Sequence, residues 1–182
     1  MPSSEEPPSP AFKLQFPAEL VHELAERFSY SRDDSKCLRF GELARDRGRY
    51  TREEFIAICE WKTSRSRRLV AANSDEDVEF VTGEALGTSD EHDRMATLRW
   101  LLGIDIPTAS ALLFFAFPDR YPIIDIRALE SLGQQKPRFY TERFWLAYLE
   151  FCRGIAGELG VPIRTLDKAL WQASVEGLIL NT

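Results

Sequence analysis

The sequence has 182 residues, of which 44% are hydrophobic and 12% aromatic, enough for one well-buried domain. A formal net charge of −6 weighs against a simple nucleic-acid binder. Three widely separated cysteines (Cys37, Cys59, Cys152) and two histidines argue for reduced thiols, against a disulfide frame or a four-cysteine iron–sulfur motif, and give no support to a histidine-rich metal site.

Met1 to Pro10 holds four prolines, three serines and two glutamates and reads as a disordered tail, leaving 11–182 as a single helical domain. Neither a signal peptide nor a bilayer-length apolar run is present, so a cytoplasmic protein without membrane contact is expected; the oligomeric state is left open with a monomer favoured, and no cofactor or metal is expected. Pro17 suits a first helical turn, and Leu20, Val21, Leu24, Ala25 and Phe28 follow at helical spacing. Tyr30 to Cys37 reads as a polar connector and Leu38 to Arg45 as a short helix that Gly48 stops. Thr51-Arg52-Glu53-Glu54 is a capping box, and its helix runs to Trp61-Lys62. Ser64 to Ala72 is a candidate basic helix.

Ser74-Asp75-Glu76-Asp77 places acidic groups at the positive end of the next helix, which Gly87 stops. Asp90 to Leu102 forms another, ending at Gly103. Asp105 is positioned to cap a helix from Ile106, with Pro107 in its first turn, and Ala109 to Phe117 is apolar except for Ser110. Pro118 to Pro122 forms a turn, and Asp125 starts a short helix that ends at Leu132-Gly133. Thr141 opens a long amphipathic helix up to Gly160, and Thr165 caps the last one, which carries Leu166, Leu170, Trp171 and Val175. No convincing strand alternation appears, so the fold class is all-α with about nine helices.

The segment 90–133 resembles the helix-hairpin-helix DNA glycosylases, the superfamily of endonuclease III and oxoguanine glycosylase. The hairpin reads Leu101-Leu102-Gly103-Ile104-Asp105, Thr108-Ala109 opens the following helix, a proline-bounded loop follows, and Asp125 stands where the family has its aspartate. The resemblance implies a glycosylase-like fold with a cleft between two helical halves, into which a damaged base is flipped. It also implies a hairpin whose backbone N–H groups approach a DNA phosphate, here Gly103, Ile104, Asp105 and Thr108. Two departures stand out. The lysine nucleophile of bifunctional members falls eighteen residues before the aspartate, and here that residue is Pro107, which forms no Schiff base. The second hairpin glycine is Asp105, whose charge repels a phosphate.

The resemblance therefore implies a monofunctional DNA N-glycosylase acting on damaged duplex DNA, with Asp125 as catalytic carboxylate. Two alternatives stand beside it: a non-catalytic module of the same fold that binds DNA or a protein, and a helical domain with no nucleic-acid role whose resemblance is only a common helical packing. As an N-cap, Asp125 also has a purely structural explanation. Residues 32–68 carry eleven Lys/Arg against seven Asp/Glu, so a DNA backbone is expected along Lys62, Arg65, Arg67 and Arg68. The structural account of Lys62 is a solvated lysine facing the helix dipole. Trp61 and Tyr121 are the candidates for stacking on a flipped base, with Trp100 and Trp171 behind them; for most of these rings core packing is the simpler account.

Overall fold

The computed structural model describes residues 10–179, and the expected tail at Met1 to Pro10 lies, but for its last residue, outside them. After a 3₁₀ turn at Ala18–Leu20 come α1 (Val21–Glu26), α2 (Ser35–Arg47), α3 (Arg52–Lys62), α4 (Arg67–Val70) and α5 (Asp75–Gly87). They are followed by α6 (Glu91–Leu98), α7 (Ile106–Ala116), α8 (Ile126–Glu130), α9 (Glu142–Leu159) and α10 (Ile163–Glu176). The described residues contain no strand, so the chain is all-α.

Local chemistry explains most of the boundaries. Thr51, Ser74, Asp90, Asp105, Asp125 and Thr141 each accept a backbone N–H that the first turn of their helix leaves unpaired. Among the boundaries that differ from the expectation, three stand out. Helix α2 begins at Ser35 rather than Leu38, because Asp33 accepts both the backbone N–H and the hydroxyl of Ser35 and starts the turn early. Helix α6 stops at Leu98 instead of Leu102, since the N–H and C=O of Leu102 are both taken by the side chain of Asn73 (2.8 and 3.0 Å). Thr165 caps nothing: α10 starts two residues earlier, with Pro162 as N-cap and no side-chain cap.

Helix α7 is the centre of the packing. Every residue of it except Pro107 is buried, and α2, α3 and α6 lie against it. Such a helix is apolar nearly all round, and Ser110 and the Leu112 carbonyl find hydrogen-bond partners. Ser110 Oγ donates to Pro107 O at 2.8 Å, and Tyr50 Oη donates to Leu112 O at 2.6 Å. Against this helix α2 crosses at Gly41, where a Cβ would stand 1.9 Å from Phe115 O. Around it, α1 and α8 pack on α10, α5 on α6, and α9 on both α6 and α10.

The α6–α7 hairpin is built on Gly103, whose φ of +79° suits glycine. It lies directly on α4: a Cβ at Gly103 would come within 2.9 Å of Leu69 Cβ and 3.0 Å of Val70 N. Asn73 Nδ2 also donates to Val70 O (2.9 Å), so one amide side chain ties the basic segment to the hairpin.

The capping box of α3 carries a buried charge. Glu54 accepts the Thr51 N–H (2.8 Å) and two guanidinium hydrogen bonds from Arg47 (2.9 Å each). Burial alone would raise the Glu54 carboxyl, but Arg47 and Thr51 together hold it below the usual value. A depressed carboxyl adds stability above its ordinary pKa, and that stability is lost as pH falls through the lowered value. Glu54→Gln is expected to cost about 2 kcal/mol at pH 7 by leaving Arg47 half-served. Urea unfolding at pH 7 and pH 3 checks this, with the gap between wild type and variant shrinking at the lower pH.

Candidate functional site

Asp125 is delivered by an irregular stretch of backbone, residues 121–125, that three different helices pin. Ile123 N donates to Asp167 Oδ1 of α10 (3.0 Å), Ile123 O accepts from Tyr148 Oη of α9 (3.0 Å), and Ile124 N donates to Ser110 Oγ of α7 (3.1 Å). One carboxylate oxygen of Asp125 then caps α8, accepting the Ala128 N–H at 2.9 Å. The other, Oδ2, lies 3.7 Å from Lys62 Nζ at the end of α3, an ion pair whose side chains are 30% and 12% exposed. The cap and the outward-facing oxygen thus coexist in one side chain.

Asp125 and Lys62 share a groove with Phe28, Tyr30, Trp61, Ile123, Ala128, Arg164, Asp167 and Trp171. Its aromatic rings meet mostly edge to face, with Phe28 and Tyr30 stacked. Centroids are 5.4 Å apart for Tyr30–Trp61, 5.4 Å for Tyr30–Trp171 and 5.2 Å for Phe28–Trp171. The groove as folded encloses about 30 Å³, close to the volume of one water molecule.

Arg164 anchors the far side. It donates to Asp167 Oδ2 (2.6 Å) and Asp34 Oδ2 (2.8 Å), and its guanidinium lies over Phe28 and Phe114 (5.2 and 4.8 Å to the centroids). Burial pushes the Asp167 carboxyl up despite that guanidinium, and the charge of Asp125 pushes the same way. Tyr140, also buried, is pushed up to about 12 by burial and then by the charges of Asp125 and Asp105. One phenol therefore feels both the groove carboxylate and the hairpin carboxylate.

Of the residues singled out from the sequence, Trp61, Lys62 and Asp125 meet in this groove. Trp171 joins them, whereas Trp100 is 72% exposed on the surface. Tyr121 does not belong to the groove, which corrects its candidacy as a base-stacking residue. Its ring is fully buried, nearly parallel to Trp145, and its hydroxyl donates to Glu91 Oε2 at 2.8 Å. At the hairpin, Ile104 and Thr108 are buried, so their side chains offer nothing to a surface ligand. Asp105 is exposed, caps Ile106 N (2.8 Å) and lies 3.7 Å from Arg99. Arg65, Arg67 and Arg68 are exposed as well, Arg67 pairing with Glu60 at 2.7 Å.

Phe28, Tyr30, Arg164 and Asp167 come from segments whose sequence signals only a helix face, a connector and a dipole pairing. The spacing Arg164-x-x-Asp167 is the available signal, since it places two opposite charges on one helical side. A wider depression of about 440 Å³, lined by Asp119, Arg120 and Arg153 among others, is less suited to chemistry. Its guanidiniums are occupied: Arg153 donates to Glu91 Oε1 (3.0 Å) and Arg120 O (2.9 Å), and Arg120 lies 3.6 Å from the same carboxylate. Asp90, His92 and Asp93 could converge on a metal but are exposed, and the first of them is engaged as the α6 cap.

No protein-family model, no curated protein sequence and no solved structure matches this chain.

Proposed function

We propose that the chain is a monofunctional DNA glycosylase that hydrolyses the N-glycosidic bond of a damaged or mispaired base. The observation that carries this reading is the Asp125 carboxylate, fixed by three helices and turned into an aromatic-walled groove. Loss of a base leaves positive charge on the sugar, and a carboxylate at that position stabilises the charge and orients the attacking water. In this reading the groove is the cleft of a glycosylase-like fold. As folded the groove is smaller than a base, and Ser29 and Arg32 tie the connector carrying Phe28 and Tyr30 to α10 and α3, so this reading requires that connector to move for a base to enter. The rings then stack on the flipped base. The duplex lies along the hairpin and the α4 arginines, with Arg99 offsetting the charge of Asp105.

A second reading, a non-catalytic module that binds DNA or a protein, draws on the hairpin. Asp105, Trp100 and Leu102 are all exposed there, an acidic and apolar surface better matched to protein than to phosphate.

Duplexes carrying one damaged or mispaired base each, assayed for binding at low salt and for strand breaks after alkali, separate the readings. The glycosylase reading expects alkali-labile sites at the lesion in at least one duplex. Binding with no such site on any duplex supports the second reading, and absence of binding removes a nucleic-acid role.

A further inference from the structure

We infer that the connector from Phe28 to Asp34 is a strap that holds the groove shut by seating the Tyr30 ring where a ligand ring belongs, and that a planar ring bearing a hydrogen-bond acceptor displaces it. That this ring is a base rests on the glycosylase reading; the strap itself rests on contacts within the chain.

The strap is irregular, and among the described residues Ser29 to Asp33 make no backbone–backbone hydrogen bond. Side-chain links fasten it instead. On α10, Gln172 Oε1 accepts both the backbone N–H and the hydroxyl of Ser29 (3.1 and 3.2 Å), and Arg164 donates to Asp34 Oδ2 (2.8 Å). At the end of α3, Arg32 donates to the carbonyls of Glu60 (2.9 Å) and Trp61. Links of this kind break without unfolding a helix, so the segment is free to open locally while the rest of the fold stays intact.

What the strap brings into the groove is Tyr30. Its ring meets both Trp61 and Trp171 with centroids 5.4 Å away, so the two indoles suited to a flat ligand hold a side chain of the protein. Closure leaves one polar group unserved. The indole N–H of Trp61, a groove residue, is buried without a hydrogen-bond partner, which disfavours the closed state. A ring with a carbonyl oxygen or an unprotonated nitrogen at its edge supplies that acceptor when it takes the place of Tyr30. Closed and open grooves are then in equilibrium, and ligand affinity is lowered by the fraction that is closed. Loosening the strap raises the open fraction and leaves the indoles in place.

The test uses the full chain carrying Trp100→Phe, which removes the exposed tryptophan. Trp145 is fully buried, so acrylamide quenching of fluorescence then reports Trp61 and Trp171. Gln172→Met is close in volume to the wild type and removes both links to Ser29. It is expected to raise the quenching constant about twofold or more with an unchanged far-UV spectrum. Arg32→Met, at an exposed position, releases the other end and should act in the same direction, which keeps the test decisive even where the buried variant fails to fold. Unchanged quenching in the folded variants overturns the strap. Free uracil serves as the ring probe, followed through the indole N–H resonances, with that of Trp61 identified by its loss in Trp61→Phe. Tyr30→Ala is expected to bind uracil about tenfold more tightly than the wild type, with the Trp61 N–H moving downfield. No gain in binding, or a Trp61 resonance that stays in place, overturns the displacement. Neither measurement needs base release. A strap that opens as expected, with no base lost from any lesion-bearing duplex, removes the glycosylase reading alone; base release with unchanged quenching removes the strap alone.

Discussion

Asp125→Asn is expected to lower the rate of base release by a factor on the order of 10²–10³ on any substrate that the wild type cleaves, with little change in fold. Asparagine is as good an N-cap as aspartate, so the Ala128 N–H keeps its acceptor and α8 its start. What disappears is the negative charge on the oxygen facing Lys62, and with it stabilisation of a cationic sugar and a proton acceptor for water. Single-turnover release of the base, followed by alkali cleavage, gives the rate. Thermal unfolding of both proteins checks that the loss is chemical. An Asn variant that releases the base at the wild-type rate removes Asp125 from the mechanism and leaves it as a helix cap.

The second large effect is structural. Gly41→Ala puts a methyl group 1.9 Å from the Phe115 carbonyl oxygen, on the face where α2 crosses α7. Backbone cannot rotate away as a side chain can, so the two helices must separate and the apolar contacts of α7 loosen. A loss of about 3 kcal/mol is expected, lowering the melting temperature by roughly 6–12 °C for a chain of this size. Gly154 provides the contrast. It lies inside α9, where an added Cβ would meet nothing within 4 Å, and alanine there should stabilise by up to about 1 kcal/mol. Parallel melting curves settle the comparison; equal midpoints for Gly41→Ala and wild type would mean that the crossing has slack.

The all-α class is legible in the sequence because helix starts are short-range chemistry. Thr51, Ser74, Asp105 and Asp125 need only a side-chain oxygen and a free N–H three residues or fewer away, and each caps as expected. At two boundaries that depart from the sequence pattern, a group the pattern does not reveal intervenes: Asn73 reaching Leu102 across the hairpin, and Asp33 engaging Ser35. The same division runs through the candidate site. Asp125, Lys62 and Trp61 stand out locally, by spacing, by charge clustering and by ring size. Their meeting does not, because it depends on α10 supplying Asp167 to Ile123 and Trp171 to Tyr30 across more than forty residues. Tyr121 misleads for the complementary reason. A tyrosine one residue before a proline, in a proline-bounded turn, resembles a loop residue until Glu91, Arg94 and Arg153 are seen to surround it.

The pinning of residues 121–125 by three helices bears on how the protein is made. Ser110 is synthesised before Ile123, but Tyr148 and Asp167 come after it. A nascent chain that has emerged only as far as α8 therefore owns the hairpin and the carboxylate without the scaffold that orients them. The groove is complete only once α10 packs on α1 and α8, so Asp125 gains its full scaffold only when the last helix is in place.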